Sequence, residues 1–354
     1  MPSTTRPGRS ATIYDVAARA GVSAATVSRV VRGTTPVAKA TQACVLDAVA
    51  ALGFVPNQLG VSLAEGRHAA NGIVFPDLVG PYFAEVLLGY EAAAGELDRS
   101  VIVMSTHGHP APRDRVLALA ARVDGLVVLG RTVDDRVVAE VMSRGVPVVT
   151  LARPAVSSGP DRTDPRRPPT RRPRGVSDSV MADNGGRAVE LAEHLLGHGV
   201  RDVVLLGDPD ASVDVSERWI ALSATLTGRA TVRRVRAHGF DVEAGARSLA
   251  ALADEGLPDV VIAHNDEVAL GVLQQARQRG IEVPRDLAVT GWDDVMAAEW
   301  AHLTTVRQPM QLLGDRAARL LDARIRGDET PPQHEVLPTR IVRRRTCGHH
   351  EEDT

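Results

Sequence analysis

Aromatic residues make up only 3% of this 354-residue chain, and it has just two cysteines. With so few large rings, the core has to be built mainly from Val, Leu and Ala, which an apolar content of 44% allows. Cys44 and Cys347 share no metal-ligand or redox spacing, so a disulfide framework is not expected and a reducing cytoplasm is. The opening MPSTTRPGRS has no apolar run of signal-peptide length, and no stretch approaches the roughly 18 apolar residues of a membrane span, so a soluble chain is expected. No serine, cysteine or lysine stands in a recognisable nucleophile context, which speaks against an enzyme. A strong overall charge is missing too, the formal net value being -3.

The distribution of charge is more informative. Residues 1–67 hold seven Arg or Lys against three Asp or Glu, leaving the remainder acidic, as a DNA-facing segment would. The length suits a small domain joined to a larger bilobed one. Residues 1–10 read as disordered. Thr12 followed by Asp15 makes a capping box, after which Ile13, Val16, Ala17 and Ala20 recur at helical spacing until Gly21. Ser23 caps a second short helix with Val27, Val30 and Val31 inward, and a third runs from Lys39 to Leu52 with Gly53 just past its end. Two short helices across a glycine turn, followed by a third, form an all-α helix-turn-helix module.

From Gly72 the pattern changes to apolar runs alternating with helical segments: GIVF, VIVM, GLVVL, PVVTL, DVVLL, DVVIA and LAVTG. Runs rich in Val, Leu and Ile without alternation indicate parallel strands covered on both faces, and their number favours two doubly wound α/β lobes. Residues 153–175 interrupt this order with seven Arg and six Pro and are expected to be an unpacked insertion.

TIYDVAARAGVSAATVSRVVRG and LGFVPNQLGVSLAEGR resemble the headpiece and hinge of LacI/GalR family regulators. The resemblance continues through FPDLVGPYFAEVLLGYE, RVDGLVVL, DNGGRAVELAEHLLGHG, ERW, HNDEVALGVL, VTGWDD and TTVRQPMQLLG, over roughly residues 11–345. It implies a headpiece at 11–56, a hinge helix at 57–68 and a periplasmic-binding-protein-like bilobed sensor at 69–345. The lobes would take about 69–180 with 306–328, and 181–305 with 329–345, and 346–354 would be a disordered tail. It also implies a homodimer on double-stranded operator DNA, most simply a repressor under the control of a small-molecule effector such as a sugar. No cofactor or metal is implied.

A recognition helix places short side chains and an Arg against base edges in the major groove. By resemblance, Ala24 and Ala25 take base-reading positions and Arg29 a further base contact. Thr26 and Ser28 take phosphate contacts, Thr12, Ser23 and Asn57 are further DNA-binding positions, and Leu63 is a minor-groove wedge. The chain departs from the family pattern at Gly60 and Val61, which predicts weaker hinge folding on DNA, and at Ala38, Gln42 and Cys44 around the third helix, which predicts fewer phosphate contacts and a shallower salt dependence.

Ligands of such sensors sit beyond the C-terminal ends of the strands. There the resemblance marks Tyr82, Phe83, Arg218, Phe240, Asn265, Asp266, Trp292, Asp293 and Gln308. Their chemistry, a donor fork, carboxylate acceptors and stacking faces, suits a polyhydroxylated or planar ligand. A sugar-binding protein or sugar-processing enzyme of the same fold is the alternative, and the helix-turn-helix argues against it. GHGVRD lacks the third glycine of a dinucleotide loop and reads as a helix-to-strand turn. His194 and His198 stand one helical turn apart, but the sequence offers them no third ligand, so they read as surface histidines, and CGHHEEDT as a disordered tail.

Overall fold

The computed structural model describes residues 11–32, 37–54, 68–157 and 175–348. The expectations for residues 1–10, for the hinge with Asn57, Gly60, Val61 and Leu63, for most of the Arg/Pro-rich insertion and for the chain past Gly348 lie outside these residues. Two units are distinguished, Met1–His68 and Ala69–Thr354.

In the first unit, helices α1 (Ile13–Ala20), α2 (Ala24–Arg32) and α3 (Lys39–Leu52) follow from local signals. The Thr12 amide donates to Asp15 Oδ2 at 2.8 Å while Thr12 Oγ1 accepts from the Asp15 amide, closing the capping box. Gly21 ends α1 at φ 66°, a left-handed conformation that costs glycine little. α2 is capped where Ser23 Oγ accepts from the Thr26 amide at 3.2 Å. Val16, Ala17, Val27, Val30, Val45 and Ala48 form the core, and the buried valines each contribute about 1.5 kcal/mol or more.

The second unit is built on two parallel sheets. The first lobe's six-stranded sheet takes β1 (Ala70–Phe75), β2 (Ser100–Ser105), β3 (Gly125–Leu129), β4 (Val148–Leu151), β5 (Asp178–Ala182) and β11 (His334–Leu337) in the order β11-β5-β4-β3-β1-β2. The second lobe's sheet takes β6 (Asp202–Gly207), β7 (Thr231–Arg236), β8 (Val260–Ala263) and β9 (Ala288–Thr290) in the order β7-β6-β8-β9. Helices α4 (Pro81–Glu96), α5 (Pro112–Ala120) and α6 (Asp135–Ser143) belong to the first lobe, and α7 (Asn184–Gly197), α8 (Val213–Leu226), α9 (Val242–Glu255), α10 (Asp266–Gln278) and the short α11 (Met296–Trp300) to the second. β10 (Thr305–Arg307) pairs antiparallel with β12 (Arg340–Val342). Between these two strands, α12 (Met310–Ile325) returns to the core of the first lobe, so the chain crosses between lobes after β5, after β10 and after β11. Those crossings place the cleft at the strand ends.

Three expectations need correction. Residues 329–345 do not all belong to the second lobe, because β11 runs parallel to β5 in the first sheet and only β12 lies beyond the crossing. HEVL and the second lobe's edge strand TVRRVR are half-exposed edges whose polar residues conceal them. The unpacked insertion does not begin at Arg153. That side chain is buried, donating to Gly130 O and Val133 O at 2.9 Å each and pairing with Asp135, and Ser157 bridges to Val176. Finally, the tail expected to be disordered from residue 346 is ordered at its start, because the 3₁₀ turn Arg345–Cys347 buries Thr346 and Cys347, and it gives His194 and His198 a candidate third ligand in Cys347.

Glycines set a close helix contact between α4 and α12. A Cβ at Gly89 on α4 would lie 1.9 Å from Gln311 O, and one at Gly314 on α12 would lie 2.0 Å from Val86 O. Both obstacles are backbone, so the helices would have to separate. Gly314→Ala is therefore expected to destabilise the sensor by about 1–3 kcal/mol, read by urea denaturation, whereas Gly185→Ala, with nothing within 4 Å, should cost little.

Candidate functional site

On the first unit, the exposed side of α2 carries Ala25 and Arg29, with Ser23 just before it. Thr26 and Ser28 are half-buried at its edge, and Thr26 Oγ1 lies 2.9 Å from Ser23 Oγ, so these two hydroxyls brace the helix start. Ala24 is only partly exposed. It packs against the headpiece core, which leaves Ala25 as the more accessible of the two alanines. Tyr14, missed in the sequence, is 74% exposed on α1, and an aromatic that packing does not use is a candidate contact surface. Asn57 and Leu63 fall outside the described residues.

Within the sensor, a buried polar cluster forms at the strand ends. Arg218 on α8 donates from Nε to Asn184 Oδ1 at 2.8 Å and from Nη1 to His264 O at 2.8 Å, and its Cζ sits 4.3 Å from the centre of the Trp292 ring. Asn184, at the start of α7, in turn donates to Asp214 Oδ1 at 2.8 Å. Asp293 accepts from Gln308 Nε2 at 2.6 Å and has φ 117°, a strained conformation for a residue with a Cβ. From the first lobe, Tyr82 reaches this cluster. Burial, with Asp214 and Asp293 nearby, raises its hydroxyl well above the ordinary range, and Arg218 acts in the opposite sense. Burial likewise raises the carboxyls of Asp293, Asp214, Glu217 and Glu267, against the pull of Arg218 on the first three.

Among the described residues, Tyr82 Oη, Trp292 Nε1, Gln308 Oε1, Glu267 Oε2 and both ring nitrogens of His264 are buried without a hydrogen-bond partner. Each such group costs roughly 1–3 kcal/mol, a burden usually carried at a functional site. His264, pushed down to about 4 by burial and by Arg218, stays neutral at physiological pH.

The structure thus brings Tyr82, Arg218, Trp292, Asp293 and Gln308 together and gives the other selected residues different work. Phe83 stacks edge-on against Phe75 in the first-lobe core. Phe240, 42% exposed, stands edge-on to His264 at the rim. Asn265 caps α10, accepting from the Val268 amide at 3.0 Å while donating to Phe240 O. Asp266 is fully buried and braces the next turn, accepting from the Val295 amide at 2.9 Å and Thr305 Oγ1 at 2.6 Å. The Trp292 face, expected to stack on ligand, is instead covered by the Arg218 guanidinium. Sequence reasoning missed Asn184, Asp214 and His264. Asn184 and His264 lie within quoted motifs, but their partners in the cluster are 30 or more residues away.

Burial raises the Asp266 carboxyl to about 7. The folded state then holds its proton more tightly than the unfolded chain, so this group's contribution to stability declines as pH climbs from about 4 to about 7. Asp266→Asn can still accept from Val295 and donate to Thr305. In paired denaturation series, the stability difference between Asp266→Asn and the parent is expected to shift toward the variant across that window and stay flat outside it.

An exposed, capped helix in a helix-turn-helix and a polar cluster between two α/β lobes define a DNA-binding regulator with a sensor. Residues 12–57 match the bacterial regulatory proteins of the lacI family, and residues 192–347 match the periplasmic binding protein-like domain. The chain is 31% identical to the HTH-type transcriptional regulator CelR of Thermobifida fusca over 348 residues, 94% of this chain and 97% of that protein. It is 28% identical to the HTH-type transcriptional regulator DegA of Bacillus subtilis (strain 168), over 95% and 98% of the two chains. Among solved structures it is similar to the lac repressor dimer bound to operator and the anti-inducer ONPF, with TM-score 0.82 and 27% identity over 96% of this chain and 100% of that one. A CelR–cellobiose complex matches with TM-score 0.66 and 28% identity, again over 96% and 100%. The chain belongs to the LacI family of transcriptional regulators.

Proposed function

We propose that this regulator binds a neutral, hydroxyl-rich effector, a mono- or disaccharide, between Tyr82 of the first lobe and Arg218, Asp293 and Gln308 at the second, and that this binding controls operator affinity. The observation carrying the proposal is the set of buried polar atoms without partners: Tyr82 Oη, Trp292 Nε1, Gln308 Oε1, Glu267 Oε2 and the His264 ring. They include donors and acceptors, and sugar hydroxyls serve as both. Asp214, Glu217, Glu267 and Asp293 outnumber the single Arg218, an environment that disfavours phosphorylated or carboxylated ligands. CelR has been solved with cellobiose.

In this reading Ala25 and Arg29 meet base edges, Ser23, Thr26 and Ser28 position the helix on phosphate, and two headpieces of a homodimer read a near-palindromic site. The protein works on operator DNA in the cytoplasm and has no catalytic role. A thermal-shift screen comparing neutral sugars, sugar phosphates and nucleobases tests the effector class. A neutral sugar should raise the unfolding temperature and change operator affinity, with operator changing sugar affinity by the same factor. A response confined to sugar phosphates or nucleobases would refute this effector class.

A further inference from the structure

We infer that His194, His198 and Cys347 form a binding site for one zinc-like divalent cation on the second lobe, remote from the effector cluster. One ligand atom from each residue lies within 4.8 Å of the other two. His194 is in the last turn of α7 and His198 caps it, the His198 amide donating to His194 O at 3.3 Å, so helical geometry puts the two imidazoles on one side of the helix end. Their rings meet edge to face at 4.7 Å. Cys347 arrives from the far end of the chain, buried in the second-lobe core with its sulfur 3.5 Å from His194 Nε2.

That distance is informative. Tetrahedral zinc, with bonds of about 2.1 Å to nitrogen and 2.3 Å to sulfur, separates the two ligand atoms by about 3.5 Å. The His194–Cys347 pair already has this spacing, and the exposed His198 ring needs only a small rotation to complete a three-residue set with a fourth position open to water. The backbone is shaped around His198 as well. Gly348 has φ 136°, and a Cβ there would sit 2.8 Å from His198 Nδ1, so only glycine lets the chain pass this close to the ring.

Thr304, which the Cys347 thiol meets at 3.1 Å, also accepts from the Arg344 amide, so the segment delivering the sulfur is tied to the lobe by other bonds and the site is preorganised. On binding, the Cys347 sulfur gives up its proton to solvent and bonds to the metal as thiolate, and both imidazoles bind neutral. The cation would then pin the C-terminal turn to α7, the helix whose opposite end carries Asn184 into the effector cluster.

The test is titration of the full-length, metal-stripped protein with Co²⁺, followed by displacement with Zn²⁺. One equivalent of Co²⁺ should give a thiolate-to-cobalt charge-transfer band that Zn²⁺ abolishes. Cys347→Ser should remove the band and His194→Asn should weaken binding by about 10-fold or more, whereas Cys44→Ser should change nothing. In the unaltered chain, stoichiometric Zn²⁺ should slow alkylation of Cys347 but not of Cys44, which keeps the test decisive if a variant fails to fold. A band that survives Cys347→Ser, a Co²⁺ affinity unchanged in His194→Asn, or unchanged alkylation of Cys347 with Zn²⁺ overturns the inference.

Discussion

Arg218→Met is expected to abolish the effector response and to destabilise the sensor by about 3 kcal/mol. The guanidinium is 5% exposed and holds Asn184, the His264 carbonyl and the Trp292 face at once. Removing one member of a buried ionic cluster costs about 3–5 kcal/mol, because the remaining charge is left without compensation. Here the lower end applies. The carboxyls of Asp214 and Asp293 are already raised by burial, and without the cation they can take up protons rather than stay charged. Arg218→Lys separates the two effects, since it keeps the charge but not the planar fork, and should recover part of the stability without restoring effector binding. Denaturation midpoints and effector titrations read the two quantities. Because the headpiece is a separate unit, operator binding should persist in Arg218→Met but no longer respond to effector. Unchanged effector affinity in that variant would remove Arg218 from the site.

What could be read from the sequence divides along physical lines. The helices of the first unit were accessible because their signals are local: Thr12 and Asp15 close a capping box three residues apart, and α3 spans Lys39 to Leu52, with Gly53 left-handed beyond it. Buried strands such as GLVVL identified themselves by continuous apolar character. The edge strands TVRRVR and HEVL did not, since polar residues break their apolar runs and their pairing is set by partners distant in sequence. The same distinction governs the site. Arg218 could be selected from ERW, but its bonds to Asn184 and His264 span 34 and 46 positions, and Cys347 meets His194 across 153. Asn265 and Asp266 illustrate the opposite failure. Polar residues at a strand end have the chemistry of ligand contacts, but a helix start and a tight turn consume their hydrogen bonds first.

At the other end of the chain, Arg29→Ala is expected to collapse operator discrimination while leaving effector binding intact. With Ala24 partly buried against the headpiece core and Ala25 limited to apolar contact, Arg29 is, among the described side chains of α2, the one able to make paired hydrogen bonds to a guanine edge. One such contact contributes about 1–3 kcal/mol of discrimination, and a two-fold symmetric dimer makes it twice. The loss on the cognate operator should therefore be about 30-fold to 20,000-fold. On random duplex, where Arg29 acts only as one positive charge per headpiece, the loss should be much smaller and the salt slope should shallow by about one unit per lost phosphate contact. Measuring both duplexes at one salt concentration separates base reading from charge. Equal losses on the two would make Arg29 a phosphate contact and leave the apolar side chains of α2 to carry specificity.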